Sequence, residues 1–195
     1  MYRDLSAPVT FSGGQPSGEV VEAAGLLPAG SRFIDIGCGD GRNALYLAAQ
    51  GHQVTAIDIS PVAIAKVQQF AAERGLKIAA SVQDIAHYVF NTEYDGIVST
   101  GVLHMFEREC WQSLLKSLRA HTTPGGYHAI GVLTDALPAP EDQKEHFIGL
   151  FKAGELFDLY SEWQIISRRS FQFHDEHPNG ARHHHAGDNL LARKI

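Results

Sequence analysis

The chain has 195 residues, 44% of them hydrophobic, and a formal net charge of −6, which fits a single domain over residues 1–195 with a sizeable core. The acidic balance argues against a nucleic-acid partner, and two cysteines, Cys38 and Cys110, give no disulfide framework. No apolar run approaches the roughly 20 residues of a membrane span, and MYRDLSAPVT lacks the basic start and apolar core of a signal peptide, so the expectation is a soluble, cytoplasmic protein with no membrane partner.

Residues 1–18 are polar and rich in Gly, Pro and Ser, as in a disordered arm or a flap over a ligand. A helix is predicted from near Ser17, carrying Val20, Val21, Ala23 and Ala24 and stopped by Leu27-Pro28-Ala29-Gly30. The first strand, Arg32 to Ile36, runs into Gly37-Cys38-Gly39-Asp40-Gly41. A helix with Ala44, Leu45, Leu47 and Ala48 on one side follows and stops at Gly51. The second strand, Gln53 to Ile57, delivers Asp58 at its carboxyl end. Ser60 is a good N-cap, Pro61 suits the first helical position, Ile64, Val67, Phe70 and Ala71 form the apolar face, and Gly75 ends the helix.

The third strand, Lys77 to Val82, precedes Asp84, and the fourth, Tyr94 to Ser99, runs into a candidate active-site loop, Thr100 to Phe106. Glu107 to His121 reads as a helix with Trp111, Leu114, Leu115 and Leu118 buried, followed by a fifth strand from Gly126 to Leu133. Residues 134–146, with two prolines and several acids, read as a mobile loop near the acceptor. A short helix over Gly154 to Tyr160 precedes two strands, Trp163 to Phe173 and Arg182 to Lys194, joined through Pro178-Asn179-Gly180. The fold class is α/β: a three-layer Rossmann-like arrangement around a seven-stranded, mostly parallel sheet with an antiparallel C-terminal hairpin.

The glycine spacing selects the cofactor. A dinucleotide fingerprint is G-x-G-x-x-G, with a pyrophosphate on the helix N-terminus. Here the glycines run G-x-G-x-G, and Arg42 stands where the third dinucleotide glycine would allow close helix–strand packing. S-adenosylmethionine, which has no phosphate, fits better, with Asp58 placed to accept from its ribose. Cys38, inside the turn, reads as a small buried filler rather than a nucleophile.

These segments resemble class I S-adenosylmethionine-dependent methyltransferases across essentially the whole chain. Asp35 to Gly41 matches the first motif, Asp58-Ile59 the acidic residue after it, Gln83-Asp84-Ile85 the adenine-contacting motif, Tyr94 to Ser99 the fourth strand, and Thr123-Pro124-Gly125-Gly126 the turn before the fifth. The resemblance implies a flap role for residues 1–18. It also implies a cofactor set of Asp35, Gly37, Gly39, Arg42, Asn43, Asp58, Ile59, Asp84, Ile85, Ser99 and Thr100. Asp35 would take the cofactor's amino group and Asp58 the ribose hydroxyls. Asp84 and the Ile85 amide would hold the adenine, and Ser99 and Thr100 would lie beneath the methionine moiety.

GCGDGRNALYLA, STGVLHMF, PGGY, FKAGEL and the closing LLARK together resemble the tellurite-resistance methyltransferases. That branch implies a small-molecule acceptor: a metalloid oxyanion such as tellurite or selenite, or a thiol-type xenobiotic. It places His174 and Arg182 on the acceptor side, with His104 after the fourth strand. The arginine that follows the histidine in that family is Asp175 here, which changes local charge by two units where a dianionic oxyanion wants cations. His174, His177, His183, His184 and His185 crowd one hairpin, and three readings stand: a solvated hairpin, an acceptor site, or a zinc- or iron-type metal site. No residue is assigned as a metal ligand. The rival functions are a nicotinamide-dependent oxidoreductase and a non-enzymatic cofactor- or metal-binding protein.

Overall fold

A computed structural model describes residues 14–176 and 182–195. The strand β1 (Arg32–Ile36) is buried after its first residue, as expected of an apolar strand covered on both faces. It pairs in parallel with β2 (Gln53–Asp58) on one side and β4 (Tyr94–Thr100) on the other. β3 (Ile78–Val82) lies outside β2, and β5 (Thr122–Leu133) beside β4. The antiparallel pair β6 (Gln164–Glu176) and β7 (Arg182–Arg193) completes a seven-stranded sheet of order 3-2-1-4-5-7-6. This is the expected α/β architecture. The strand order reverses at β1, so the carboxyl ends of β1 and β4 flank the crevice where such sheets bind ligands.

Helices cover both faces. α1 (Gly18–Leu26), α2 (Arg42–Ala49) and α3 (Pro61–Glu73) belong to one side, where Val20, Ala23, Phe33, Ala44, Val67 and Leu191 share a core. α4 (Arg108–Ala120) and α5 (Glu155–Leu159) belong to the other, with Ile34, Ile97, Trp111, Leu118, Phe151 and Tyr160. There Trp111 stacks on Phe151 at 4.0 Å. Ser60 caps α3 as expected, accepting from the Ala63 N–H at 3.2 Å with Pro61 behind it.

Two strand boundaries differ from expectation by more than one residue. β5 starts at Thr122 rather than Gly126, because Tyr94 pairs with Thr122 before a register shift, and the Pro124-Gly125 turn, with Gly125 at φ +77°, is absorbed inside the strand. β6 runs on to Glu176, since its pairing with β7 continues through Asp175–His183 to Glu176–Arg182. The Pro178-Asn179-Gly180 turn, His177 and residues 1–13 of the expected flap lie outside the described residues. Segment 134–146 holds a single 3-10 turn at Glu141–Gln143, and just beyond it Phe151 bridges back to Thr134.

Candidate active site

The chain leaves β1 through alternating glycines at positive φ: Gly37 (65°), Gly39 (55°) and Gly41 (91°). Only glycine takes this path without strain. At Gly37 the lack of a side chain also lets Val102, from the loop after β4, press on the backbone; a Cβ there would collide with it. Across the crevice, half-buried Asp58 accepts the Gly39 N–H at 2.9 Å through Oδ2 and the Ser60 N–H at 2.9 Å through Oδ1. A carboxylate offers about four lone-pair sites, so two remain for a ligand.

Asp35 is 1% exposed, and its Oδ2 has no hydrogen-bond partner among the described residues; the Ser99 Oγ, on the neighbouring strand, is in the same position. Burial pushes the Asp35 carboxyl up to about 7, while the Arg42 guanidinium and the Ala44 amide pull the other way. An orphaned buried carboxylate oxygen beside a glycine turn suits a ligand ammonium, which would return the group to its charged form. The residues present therefore fit the amino-acid end of S-adenosylmethionine. Cys38 is buried and its thiol is pushed strongly up, mainly by burial, so it holds its proton.

Arg42 and Asn43, at the start of α2, fasten the segment ahead of α1. The Ser17 N–H donates to Asn43 Oδ1 at 2.9 Å, and Arg42 Nη1 donates to the Gln15 carbonyl at 3.1 Å. Both also reach Thr100 Oγ1 at the end of β4, Asn43 Nδ2 at 2.9 Å and Arg42 Nη2 at 3.4 Å. The described residues ahead of α1 are thus tied to the crevice.

Asp84 is exposed and caps a 3-10 turn, Ile85–His87. Its Oδ1 accepts the Ala86 N–H at 3.0 Å, and Oδ2 lies 2.8 Å from His87 Nδ1, a contact that holds its carboxyl below the usual range. Ile85 is buried in the core. Ile59, beside Asp58, is 68% exposed.

His104, in the 3-10 turn Leu103–Met105 after β4, is 2% exposed. Its Nδ1 accepts the Leu133 N–H at 3.1 Å, which puts the proton of the neutral ring on Nε2. Burial, helped by His185, lowers it to about 3, so at neutral pH His104 is a donor and not a base. Phe147 bridges His104 (5.4 Å) and His185 (5.7 Å). The hairpin divides its histidines by strand alternation. Buried His183 and His185 pair with Asp175 and Phe173 on one face. Exposed His174 and His184 stack at 4.0 Å on the other, where the alternation also puts Arg182. Of the three expected acceptor residues, only His104 shares the face of His183 and His185; His174 and Arg182 do not. Phe147 and Asp142, which contacts His183 at 3.1 Å, were not expected from sequence, and no local pattern marks them.

This is the fold of Rossmann-like methyltransferases, and over 92% of this chain and 62% of that one it superposes on the crystal structure of TehB from Haemophilus influenzae with a TM-score of 0.81 at 32% identity. The model of the tellurite resistance protein TehB family matches residues 11–185, and the chain belongs to this family. A relative from Haemophilus influenzae, named a probable S-adenosyl-L-methionine-dependent methyltransferase TehB, is 33% identical over 181 residues, covering 91% of this chain and 62% of the relative. The chain thus spans about three fifths of that relative's length. A 2-heptyl-1-hydroxyquinolin-4(1H)-one methyltransferase from Mycobacteroides abscessus is 29% identical over 83% of this chain and 71% of its own. The N-methyltransferase NodS from Bradyrhizobium japonicum, solved with S-adenosyl-L-homocysteine, shares the fold at a TM-score of 0.68 and 20% identity over 90% of this chain and 84% of NodS. Among the described residues, no helix is long and apolar enough to cross a membrane.

Proposed function

We propose that residues 1–195 act as one S-adenosylmethionine-dependent methyltransferase domain on a small, soft acceptor of the thiol or metalloid-oxyanion kind. The observation that carries this is the orphaned Asp35 Oδ2 facing a glycine turn that Asp58 holds in place, in a chain of the TehB family. When bound, the cofactor supplies a methyl group already activated on a sulfonium.

The protein's task is then positioning and exclusion of water. Asp35 takes the ammonium, and Asp58 uses its two remaining lone-pair sites on the ribose hydroxyls. Asp84 and the Ile85 amide hold the adenine edge, while Ile59 covers a face. The Gln15–Ser17 segment, tied to Arg42 and Asn43, shields the crevice. His104 donates from Nε2 to the acceptor and takes no proton at neutral pH, so a thiol would react as its thiolate, its proton lost to solvent before the methyl group passes from the sulfonium. Arg42 supports this cofactor over NAD, since its side chain is engaged with Gln15 and Thr100 where a dinucleotide site needs a third glycine.

Asp175 and Asp142 beside His183 leave this side of the site without the cation excess a dianion wants, which favours a thiol acceptor over tellurite. The test is transfer of a labelled methyl group from S-adenosylmethionine to thiols, selenite and tellurite in parallel. Faster labelling of thiols is expected. Preference for tellurite would overturn the acceptor assignment, and no labelling above the blank with any acceptor would count against the activity.

A further inference from the structure

The inner face of the β6–β7 hairpin holds a second constellation that the cofactor site does not use. Asp175 faces His183 and His185 across the ribbon. Asp175 Oδ1 lies 3.3 Å from His185 Nε2 and 3.7 Å from His183 Nδ1. The ligating atoms of these three residues all fall within 4.8 Å of one another. Ligands about 2.0–2.1 Å from a tetrahedral zinc ion are roughly 3.3 Å apart, so the separations of Asp175 from the two imidazoles lie within a few tenths of an ångström of that spacing.

The surroundings favour a cation. Both imidazoles are nearly closed off, with side chains 8% and 5% exposed, whereas Asp175 is 36% exposed and gives the site an opening. The far nitrogen of His183, Nε2, meets Asp142 at 3.0 Å to Oδ1 and 3.1 Å to Oδ2. This carboxylate–imidazole pairing fixes the tautomer of metal-binding histidines: one ring nitrogen donates to a carboxylate, the other turns toward the ion. Two neutral imidazoles and two carboxylates carry a charge of −2, which one divalent ion cancels. The alternation of the ribbon separates this set from His174 and His184, which stack on each other on the exposed face.

We propose that Asp175, His183 and His185 bind one divalent transition-metal ion of the zinc type, with Asp142 orienting His183. The nitrogen-rich donor set excludes calcium and magnesium, which take oxygen ligands. Three protein ligands leave a fourth position open. Through Phe147, the site is contiguous with His104, so a thiolate acceptor would take the open position. That last point rests on the methyltransferase reading; the metal site itself does not.

The test is calorimetric titration of zinc chloride into tag-free protein of residues 1–195, stripped with chelator and dialysed, with no S-adenosylmethionine present. One zinc ion per chain is expected. Asp175→Asn, which keeps the side chain's shape at a half-exposed position, and His185→Ala should each weaken binding more than tenfold. Asp142→Asn should weaken it by about 10- to 100-fold. His184→Ala should leave it unchanged. Circular dichroism of each variant confirms that it is folded. Absence of zinc uptake by the parent protein would overturn the proposal. So would equal uptake by folded Asp175→Asn, or loss on His184→Ala, which would mark general binding to a histidine-rich hairpin.

Discussion

The Asp58 carboxylate accepts the Gly39 backbone N–H at 2.9 Å, so the acid at the end of β2 and the middle glycine of the turn after β1 form one unit. The same carboxylate starts α3 through the Ser60 N–H. Asp58 is therefore a brace for the turn, and in the proposed function the same carboxylate meets the ribose. Asp58→Ala is expected to weaken S-adenosylhomocysteine binding by roughly 100-fold or more, since hydrogen bonds to a charged group contribute about 1.5–3 kcal/mol each. Calorimetric titration checks it, and unchanged affinity would remove Asp58 from the site.

Asp35 titrates in the opposite sense to most native carboxylates. Its folded value is raised from 3.8 to about 7, by burial above all. The folded state then holds a proton that the unfolded state has lost, and this one group's contribution to the stability of the free protein is lost as pH rises from about 4 to 7. Asp35→Asn should therefore raise the melting temperature of the free protein at pH 8 while weakening cofactor binding. A variant that loses stability at pH 8 would show that Asp35 is satisfied in the free protein.

Acid should destabilise the fold through two buried imidazoles. His104 and His128 are both lowered from 6.5 to about 3, chiefly by burial. Each stays neutral when folded but charges when unfolded, so their contribution is present above pH 6.5 and is lost as pH falls toward 3. His128 is locked in a chain of bonds: the Tyr160 hydroxyl donates to Nδ1 at 2.6 Å, Nε2 donates to Thr122 Oγ1 at 2.7 Å, and that hydroxyl donates to the Leu118 carbonyl at 2.7 Å. Denaturant unfolding at a series of pH values should show a loss on the order of several kcal/mol over this window. In His128→Gln the slope should become shallower.

Asn43 is 3% exposed and joins Ser17 to Thr100. Asn43→Ala should cost about 1–3 kcal/mol, the penalty for buried groups left unpaired. It should also speed hydrogen exchange at the Ser17 amide and weaken cofactor binding. Exchange at Ser17 that matches the parent would show that the segment is held without Asn43.

The first half of the fold was readable because its signals are local. Gly37, Gly39 and Gly41 and Ser60-Pro61 each act on residues within a few positions and occupy the expected places, and Asp58 is marked by the strand it ends, although its bond to Gly39 spans 19 positions. β5 was read late because Pro124-Gly125-Gly126 is a turn signal, while Thr122 owes its strand pairing to Tyr94 on another strand. The hairpin was half readable. Alternation put His183 and His185 on one face, but their contacts with Asp175 depend on cross-strand register. Asp142 reaches His183 from a loop 41 residues earlier, a relationship no periodicity encodes. Likewise, the Asp175 substitution could be read from sequence as a change of charge, whereas its place between two imidazoles is a tertiary fact.

The central claim is that the crevice between β1 and β4 binds an adenosyl amino acid rather than a dinucleotide. Thermal unfolding of tag-free protein with S-adenosylmethionine, S-adenosylhomocysteine, NAD and NADP in parallel tests it most directly. Ligand at about 100 times its dissociation constant adds ~2.7 kcal/mol, or roughly 5–10 °C for a domain of this size. The account predicts that shift with both adenosyl compounds and none with the nicotinamide cofactors. A shift with NAD or NADP alone, or none with either adenosyl compound, would contradict it.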